Sequence, residues 1–368
     1  MTIVNPQFWH GKKVFLTGHT GFKGSWMGAW LTRLGARVTG FSLAPDTPSH
    51  FALRPTEYES IESDVRNLDE LRAALRRTTP DVVVHMAAQS LVRASYADPV
   101  STYATNVMGT LHLLESIRQV PSVRVAVIVT SDKCYENRET MKPYVETDPI
   151  GGHDPYSSSK GCAEILTSSM RRSFFSDTPC LIASVRAGNV IGGGDWAADR
   201  LIPDCIRAWT KGESVRIRHP RAIRPWQHVL DPLSGYLQLA EALFAGKTAF
   251  AKGWNFGPSL DSAWPVERIV GAVKARLPAF DFFVEPSTEH EANLLTLSSE
   301  RAHRELGWHP RWSIETALEK TLDWYAAHRY SGELLTDKQI HEYTQRSSPP
   351  QTPGLAGRIL ESAVKNTS

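Results

Sequence analysis

The stretch KVFLTGHTGFKG, residues 13–24, decides the fold, because an apolar run stops abruptly at the first of three closely spaced glycines. Residues 14–17 are apolar or β-branched, which predicts a short buried strand. Large apolar side chains then recur at three- and four-residue spacing from Phe22 to Leu34, and Gly35 follows as a stop, which is typical of a helix. A strand, a glycine-rich turn and a helix in this order predict the start of an α/β layer structure.

The same alternation continues along the chain. Strands are predicted near residues 37–42, 61, 81–86, 123–130 and 180–185, and helices at 68–75, 105–117 and 163–174. This pattern predicts an α/β fold of the Rossmann type, a doubly wound parallel sheet with helices on both faces. After Arg186 the pattern loosens, with repeated prolines. We therefore expect a Rossmann domain at 1–187, a smaller substrate-binding lobe at 188–345 that shares some elements with it, and a tail at 346–368.

The composition excludes several classes of protein. Of 368 residues, 41% are hydrophobic and 22% charged, and 41 basic against 39 acidic residues give a net charge of +2, so we expect neither nucleic acid nor membrane as a partner. The start of the chain lacks a signal-peptide pattern, and the 13 histidines show no metal-ligand spacing. Four cysteines without a C-x-x-C pair predict reduced thiols and a cytoplasmic protein that needs no metal: Cys134, Cys162, Cys180 and Cys205.

The glycine-rich turn lies where a helix N-terminus presents free N–H groups and a partial positive charge. Its G-x-x-G-x-x-G spacing permits a tight turn and close backbone approach to a pyrophosphate, which predicts a dinucleotide site. A loop of some other α/β protein is the alternative. The predicted contacts in this turn are Gly18, Thr20, Gly21, Phe22, Lys23 and Gly24.

The end of the second strand is where an acidic residue would bind the adenosine ribose. Phe41 and Ser42 stand there instead, without a carboxylate and without a nearby cation for a 2′-phosphate. This favours NAD as the dinucleotide and predicts that it is bound loosely. Asp64, followed by Val65, is the best remaining acid to accept the adenine amino group, although a helix N-cap role fits its position equally well.

Tyr156 and Lys160 open a predicted helix and lie one turn apart on the same face. The ammonium can therefore lie beneath the phenol and reach the nicotinamide ribose. To act near neutrality, a phenol pKa of ~10 must fall by about three units, which corresponds to roughly 4 kcal/mol. A nearby lysine and a positive nicotinamide ring would both lower that pKa.

Together with Ser131 after the most apolar strand, these motifs resemble the extended short-chain dehydrogenase/reductase family, and within it the CDP-glucose 4,6-dehydratases. The resemblance covers about residues 7–345. The strings that carry it are residues 18–26, 85–89, 105–110, 130–135, 186–196 and 224–230.

The resemblance implies that NAD is regenerated in each turnover. Tyr156, assisted by Lys160 and Ser131, takes the proton of the sugar 4-hydroxyl as the C4 hydride leaves; water is then lost across C5 and C6, and the hydride returns to C6. Asp132 is the acid and Lys133 the base of this elimination, which requires a neutral lysine. A solvated loop lysine and a turn or capping carboxylate are the alternatives for these two residues. The product would be CDP-4-keto-6-deoxyglucose, a precursor of dideoxyhexoses in bacterial surface polysaccharides.

The resemblance also implies further contacts and an assembly. A homodimer or homotetramer would form through the helices near 99–118 and 155–175. Nucleotide-sugar 4-epimerases, dehydratases of another nucleoside diphosphate glucose and silent dinucleotide-sensing modules are alternatives; the acid–base pair after Ser131 argues against an epimerase. The additional cofactor contacts are Ala87, Ala88, Gln89 and Asn106, and the substrate contacts are Gln89, Asn189, Arg200, Leu201, Arg218 and Arg224, with Arg224 at the diphosphate.

Overall fold

The computed structural model describes residues 3–54, 56–140, 142–277, 279–285 and 295–345, so the predicted tail at 346–368 lies outside the described residues. The strands are β1 (Lys13–Thr17), β2 (Arg37–Ser42), β3 (Glu59–Glu62), β4 (Val82–His85), β5 (Val125–Val129), β6 (Leu181–Arg186), β7 (Val190–Ile191), β8 (Ser214–Ile217), β9 (Ile223–Pro225), β10 (Gln227–His228), β11 (Gly253–Asn255), β12 (Ala263–Pro265) and β13 (Asp281–Val284). The α-helices are α1 (Pro6–Trp9), α2 (Phe22–Arg33), α3 (His50–Leu53), α4 (Leu68–Thr78), α5 (Val92–Ala97), α6 (Pro99–Tyr103), α7 (Gly109–Ile117), α8 (Pro155–Phe174), α9 (Leu201–Lys211), α10 (Leu230–Phe244), α11 (Val266–Arg276), α12 (Ile314–Ser331) and α13 (Thr336–Thr344).

Seven strands form one parallel sheet in the order β3-β2-β1-β4-β5-β6-β11. Val14 of β1 pairs with Val38 of β2 on one side and Val82 of β4 on the other, so the strand order reverses between β1 and β4. Ligands of such sheets bind outside the carboxyl ends of the strands at this switch point. All five residues of β5 are buried, as expected for a strand with helices on both faces. The predicted doubly wound α/β fold is confirmed.

The seventh strand, β11, is not predicted by the sequence pattern. It has only three residues and lies in the segment assigned to the smaller lobe, where it is held by pairing of Trp254 with Val185 in β6. The same segment supplies α10, and one buried cluster joins Val127 of β5 to Leu237 of α10. Two elements of the second segment therefore belong to the Rossmann architecture: β11 extends its sheet, and α10 packs against that sheet. The division into two lobes stays a prediction.

The helix predicted over 105–117 begins earlier than its apolar pattern. Asp98 accepts a hydrogen bond from the backbone N–H of Ser101 at 2.9 Å and Pro99 occupies the first helical position, so α6 begins there. A π-helical turn, Ala104–Met108, connects α6 to α7. Such turns occur often at functional sites. None of the described helices is both long and apolar enough to cross a membrane.

Candidate active site

The glycine-rich turn between β1 and α2 is packed too tightly for larger residues. Gly18 has a φ of +71°, and a Cβ there would collide with the backbone of Ala87, which precedes Ala88 in the half-buried segment after β4. A Cβ at Gly24 would collide with the carbonyl of Gly18. Helix α2 begins after Gly21 without a side-chain cap, which leaves its first N–H groups for a ligand. The turn therefore fits a dinucleotide pyrophosphate.

Thr20 ties this turn to the end of β2. Its hydroxyl lies 2.7 Å from Oγ of Ser42 and donates to the carbonyl of Leu43 at 3.0 Å. The Ser42 hydroxyl is thus already hydrogen-bonded within the protein. The end of β2 offers no carboxylate to an adenosine ribose, as its sequence indicates.

His19 occupies the middle of the turn, and its sequence pattern gives it no role. The ring is fully buried, and its Nε2 lies 2.7 Å from Oγ of Ser60 in β3. A Cβ at Gly40 would collide with this ring, so β2 needs a glycine where His19 crosses it. Burial lowers the pKa of His19 to about 4, which keeps the imidazole neutral at physiological pH.

Asp64 lies beyond the end of β3, which closes at Glu62. Its carboxylate accepts hydrogen bonds from Nε of Arg66 at 2.8 Å and from the backbone N–H of Arg66 at 2.8 Å. Burial raises the pKa of Asp64, but the bonds from Arg66 outweigh this and hold the pKa below its usual value. The N-cap of α4 is Asn67, so the alternative capping role for Asp64 is wrong. Adenine binding by Asp64 stays a prediction.

Two apolar residues predicted to contact the cofactor belong to the hydrophobic core. Val65 is buried in the smaller cluster, and a Cβ at Gly109 would meet its side chain at 2.8 Å. Phe22 packs against the larger cluster, where its ring lies close to Gly192. Only a part of each residue is therefore available to a ligand.

Gln89 and Asn106 shape the loop after β4. The Asn106 amide accepts from the backbone N–H of Gln89 and donates to its carbonyl, both at 2.9 Å, and also donates to Oγ of Ser159 at 2.8 Å. The Gln89 amide bonds the Thr102 hydroxyl at 2.9 Å and the backbone of Leu91. Both side chains thus use their polar groups within the protein and position the π-helical turn against α8.

Ser131, Asp132 and Lys133 follow β5. Ser131 caps a 3₁₀ turn, accepting from the backbone N–H of Lys133 at 3.2 Å and donating to Oδ1 of Asp132 at 2.9 Å. The Asp132 carboxylate is buried against Gly188, where a Cβ would overlap it. Since Ser131 is the cap, the capping alternative for Asp132 is wrong. Lys133 is half-buried, and its amine makes no hydrogen bond or ion pair with the described residues.

Helix α8 delivers Tyr156 and Lys160 to the same place. Asp154 accepts from the backbone N–H of Ser157 at 2.9 Å and starts the helix. Lys160 Nζ then reaches the carboxyl end of β5 and donates to the carbonyl of Val129 at 3.3 Å. Both side chains are buried. The predicted catalytic residues of α8 therefore lie at the carboxyl end of β5, directly before the segment that carries Ser131 and Asp132.

Burial of the cluster opposes ionisation of the Tyr156 phenol. Burial raises the pKa of Tyr156 to about 12; a hydrogen bond with Ser131 and the charge of Arg200 act against the rise, and Asp132 adds to it. Burial also lowers the pKa of Lys160 to about 8. The expected fall of the phenol pKa therefore needs the positive charge of a bound nicotinamide.

A buried ion pair lies beneath the cluster. Glu164 accepts from Nε and Nη2 of Arg186 at 2.9 and 2.8 Å and from the hydroxyl of Ser184 at 2.7 Å. Burial raises the pKa of Glu164, but Arg186 outweighs it and lowers the pKa overall. The charge of Glu164 opposes the burial-driven fall in the Lys160 pKa. The four-residue spacing of Tyr156, Lys160 and Glu164 is the sequence signal that could have revealed this residue.

Lys23 and Tyr236 add a second lysine and a second phenol. Lys23 Nζ lies 3.5 Å from the hydroxyl of Tyr236 and 5.6 Å from its ring centroid. Burial, with the charges of Lys160 and Arg200, lowers the pKa of Lys23 to about 8. Burial and the charge of Asp132 raise the pKa of Tyr236. The Lys23 side chain therefore extends from the glycine-rich turn toward the catalytic cluster. No local pattern predicts Tyr236, because α10 is distant in sequence.

Three predicted substrate residues precede α9 in the chain or begin it: Asn189, Arg200 and Leu201. Arg200 precedes the helix and donates to Asp195 at 2.9 Å, and Leu201 begins it, half-buried against the core. The charge of Arg200 influences the pKa of both Tyr156 and Lys23, which places it beside the cluster. Asn189 has a φ of +46°, and its carbonyl accepts from the backbone N–H of Gln227 at 3.3 Å.

Arg218 lies directly after β8 and Arg224 lies in β9, both in the second segment. Arg218 is 3.7 Å from the carboxylate of Asp199. Arg224 lies in β9, which pairs with β12, and donates to the carbonyl of Ile223 at 3.1 Å. Both residues are half-buried.

A Rossmann sheet with a glycine-rich turn after β1, and a tyrosine and a lysine one turn apart at the carboxyl end of β5, defines the class as the extended short-chain dehydrogenase/reductases. The sequence pattern of the family described as GDP-mannose 4,6 dehydratase matches residues 15–321. The chain belongs to this family of 4,6-dehydratases, and the resemblance stated from its motifs is confirmed.

Individual relatives agree. The CDP-glucose 4,6-dehydratase of Salmonella typhimurium is 47% identical over 353 residues, which cover 93% of this chain and 98% of that protein. The dTDP-glucose 4,6-dehydratase of Bacillus anthracis, solved with NAD, has a TM-score of 0.72 at 20% identity, covering 88% of this chain and 98% of that one. The UDP-glucose 4-epimerase of Thermotoga maritima, solved with UDP-glucose, has a TM-score of 0.76 at 20% identity, covering 86% of this chain and 99% of that one. The two solved structures establish the shared fold.

Proposed function

We propose that this chain is an NAD-dependent lyase that converts CDP-glucose to CDP-4-keto-6-deoxyglucose and water. The observation that carries the proposal is that Asp132, the predicted acid of the elimination, is hydrogen-bonded to Ser131 and acts with it on the pKa of Tyr156, the predicted base of the oxidation, while Lys133 follows Asp132 in the chain. The CDP-glucose 4,6-dehydratase with 47% identity supports both the reaction and the nucleotide. A 4-epimerase needs Tyr156 and Lys160 but no such pair, and the epimerase structure shares only the fold.

NAD is the cofactor that the site fits. When bound, it accepts a hydride from C4 of the sugar and returns it to C6. The uncapped start of α2 would hold its pyrophosphate, Lys160 would hold its nicotinamide ribose, and Asp64 would hold its adenine. Because Phe41 and Ser42 offer no carboxylate to the adenosine ribose, we expect binding loose enough that added NAD raises the activity of the purified enzyme.

The chain's own residues move the protons. Tyr156 accepts the proton of the 4-hydroxyl, and Ser131 hydrogen-bonds the same oxygen. The C4 ketone acidifies the C5 hydrogen, which the Lys133 amine removes; this amine is unpaired within the described part of the chain. Asp132 then gives its proton to the C6 oxygen, which leaves as water.

The second segment holds the nucleotide sugar. Its diphosphate is bound by Arg224 and Arg218, since guanidinium groups match paired phosphate oxygens. Arg200 lies nearest the sugar because its charge acts on Tyr156. Asn189, Leu201 and Gln89 complete the predicted substrate contacts.

The protein forms a homodimer or homotetramer through the helices near 99–118 and 155–175. Support comes from apolar side chains that these helices expose: Val100 is 78% exposed and Ile165 60%, and Met108 and Phe174 are also exposed. Exposed apolar groups of this kind are typical of protein interfaces. Light scattering tests the assembly, and a monomer would contradict it.

The four cysteines are free thiols, which agrees with a reducing compartment, so we place the protein in the cytoplasm.

The function is tested by incubating the purified protein and NAD with CDP-, dTDP-, UDP- and GDP-glucose. Mass spectrometry of each nucleotide sugar measures the loss of water. We expect CDP-glucose to react far faster than the other three. Equal turnover of dTDP-glucose would contradict the cytidine assignment, and isomerisation without water loss would support the epimerase.

A further inference from the structure

The segment that carries the predicted acid and base of the elimination is short. Ser131 caps a single 3₁₀ turn, Asp132–Cys134, and Asp132 and Lys133 are two of its three residues. The two backbone N–H groups that close this turn donate to the carbonyls of Ser131 and Asp132 at 3.3 and 3.4 Å, which is long for N–H···O bonds. These two bonds alone therefore hold the turn weakly.

The residues on either side of this turn are both tied to one buried ion pair. Thr130, directly before the turn's cap, donates a hydrogen bond from its hydroxyl to Oε1 of Glu164. Tyr135, directly after the turn, accepts a hydrogen bond from Nη1 of Arg186 at 2.5 Å. Glu164 also accepts from Nε and Nη2 of the same guanidinium, and all four side chains are buried. The ion pair therefore bridges the two ends of the turn.

The guanidinium of Arg186 has little freedom to move. Nε and Nη2 bond Glu164, Nη1 bonds Tyr135, and a Cβ at Gly253 would meet Nη2 at 2.8 Å. The Tyr135 hydroxyl in turn donates to Oδ1 of Asn255 in β11 at 2.8 Å. Since the fork of an arginine is planar and rigid, these bonds fix the end of the turn relative to α8.

We propose that the Glu164–Arg186 pair is a positioning unit for the elimination, which fixes both ends of the turn that presents Asp132 and Lys133. The pair acts through the residues on either side of the turn rather than on the sugar itself. This role rests on the proposed function, which assigns the acid and the base of the elimination to the turn.

Loosening the turn should affect the two chemical steps unequally. Oxidation at C4 is assigned to Tyr156 and Lys160 of α8, and Lys160 has its own bond to the carbonyl of Val129. Elimination is assigned to Asp132 and Lys133, inside the turn. A loosened turn should therefore slow water loss more than oxidation, so that reduced nicotinamide accumulates. A purely structural role would lower stability without this accumulation.

Tyr135→Phe tests the far end of the turn. It removes the hydroxyl and keeps the ring, which stacks on Tyr144 with centroids 5.2 Å apart. In stopped-flow with NAD and CDP-glucose, oxidation should stay near the wild-type rate. Water loss should fall by about tenfold or more, because a displacement of about 1 Å can cost 10²-fold. The matched control is Tyr343→Phe, another buried tyrosine, whose hydroxyl donates to Asp231 at 2.7 Å; it should show no accumulation.

Two further substitutions test the pair and the near end of the turn. Arg186→Lys keeps a cation beside Glu164 but lacks the fork that reaches Tyr135 as well, so reduced nicotinamide should again accumulate. Adding Tyr135→Phe to it should slow water loss no further, because both changes remove the same bond. Thr130→Val should also accumulate reduced nicotinamide, whereas Thr130→Ser keeps the hydroxyl and should restore the wild-type rate of water loss.

Thermal unfolding of each variant and of the Tyr343→Phe control shows whether a rate change only reflects lost stability. Water loss at the wild-type rate in Tyr135→Phe and Thr130→Val, or equal slowing of both steps, would overturn the positioning role and leave the pair a structural one. Multiplied effects in the double variant would show that Tyr135 acts through Asn255 and not through Arg186. Absence of water loss in the wild type would instead contradict the proposed function, so the two failures are distinguishable.

Discussion

Two regions of the site differ in their burial and in the partners of their side chains. The catalytic floor, Ser131, Asp132, Tyr156 and Lys160, is buried at the carboxyl end of β5 and the start of α8. The arginine rim, Arg200, Arg218 and Arg224, is less buried. Floor residues bond one another or the β5 backbone, whereas Arg200 and Arg218 pair with Asp195 and Asp199.

The difference indicates a division of roles. The floor is arranged for chemistry before any ligand arrives, which is what electrostatic preorganisation requires. In the proposed function the rim exchanges its carboxylate or carbonyl partners for the diphosphate, so we expect recognition to be completed on binding. Changes in the floor should therefore lower kcat, whereas changes in the rim should raise KM.

The largest effect is expected from Tyr156→Phe, which removes the proposed base of the first step. Loss of a positioned base costs on the order of 10²–10⁴ in rate, and we expect a fall in this range. Stopped-flow absorbance should show no reduced nicotinamide on mixing with substrate and NAD. If reduced nicotinamide still accumulated at the wild-type rate, the C4 base would be another residue.

Lys133→Met keeps the side-chain volume and removes the amine of the proposed elimination base. Oxidation at C4 should survive while water loss falls by about 10³, so the variant accumulates reduced nicotinamide and a 4-ketoglucose nucleotide. In heavy water its C5 hydrogen should not exchange. The matched control is Lys142→Met, an exposed lysine nearby in the chain, which should behave as wild type. Turnover of Lys133→Met near the wild-type rate, with solvent deuterium at C5, would make Lys133 a solvated loop lysine.

Gly188→Ala disturbs the floor without removing any of its groups. The new methyl group overlaps the Asp132 carboxylate, and a displacement of about 1 Å can cost 10²-fold in rate, so water loss should slow by about that factor. Gly271→Ala is the control, since a Cβ there meets nothing within 4 Å. Water loss at the wild-type rate in Gly188→Ala would show that the position of Asp132 is not critical.

Arg224→Ala should give the smallest effect, confined to binding. Loss of one charge-assisted bond to a diphosphate should raise KM for CDP-glucose about tenfold, or about 1.4 kcal/mol, with kcat unchanged. Arg216→Ala, an exposed arginine paired with Glu285, is the control and should leave both constants unchanged. A fall in kcat without a change in KM would show that Arg224 acts in the chemical step and not in binding.

Local patterns explain which parts could be predicted. The presence of the six predicted strands, and of Tyr156 and Lys160 on one helix face, follows from short-range periodicity, which persists in the fold. The three-residue strand β11 and Tyr236 could not be predicted, because both reach the sheet or the site through long-range packing of the second segment. The raised pKa of Tyr156 also depends on burial, which only the folded protein shows.

The central claim is that one bound sugar is oxidised, dehydrated and reduced on this catalytic floor. It is tested most directly by mixing CDP-glucose carrying deuterium at C4 with CDP-glucose uniformly labelled with carbon-13, and locating the deuterium in the products by mass spectrometry and NMR. We predict that deuterium appears at C6 and only in molecules without carbon-13. Deuterium in the solvent, or in products that contain carbon-13, would contradict the account.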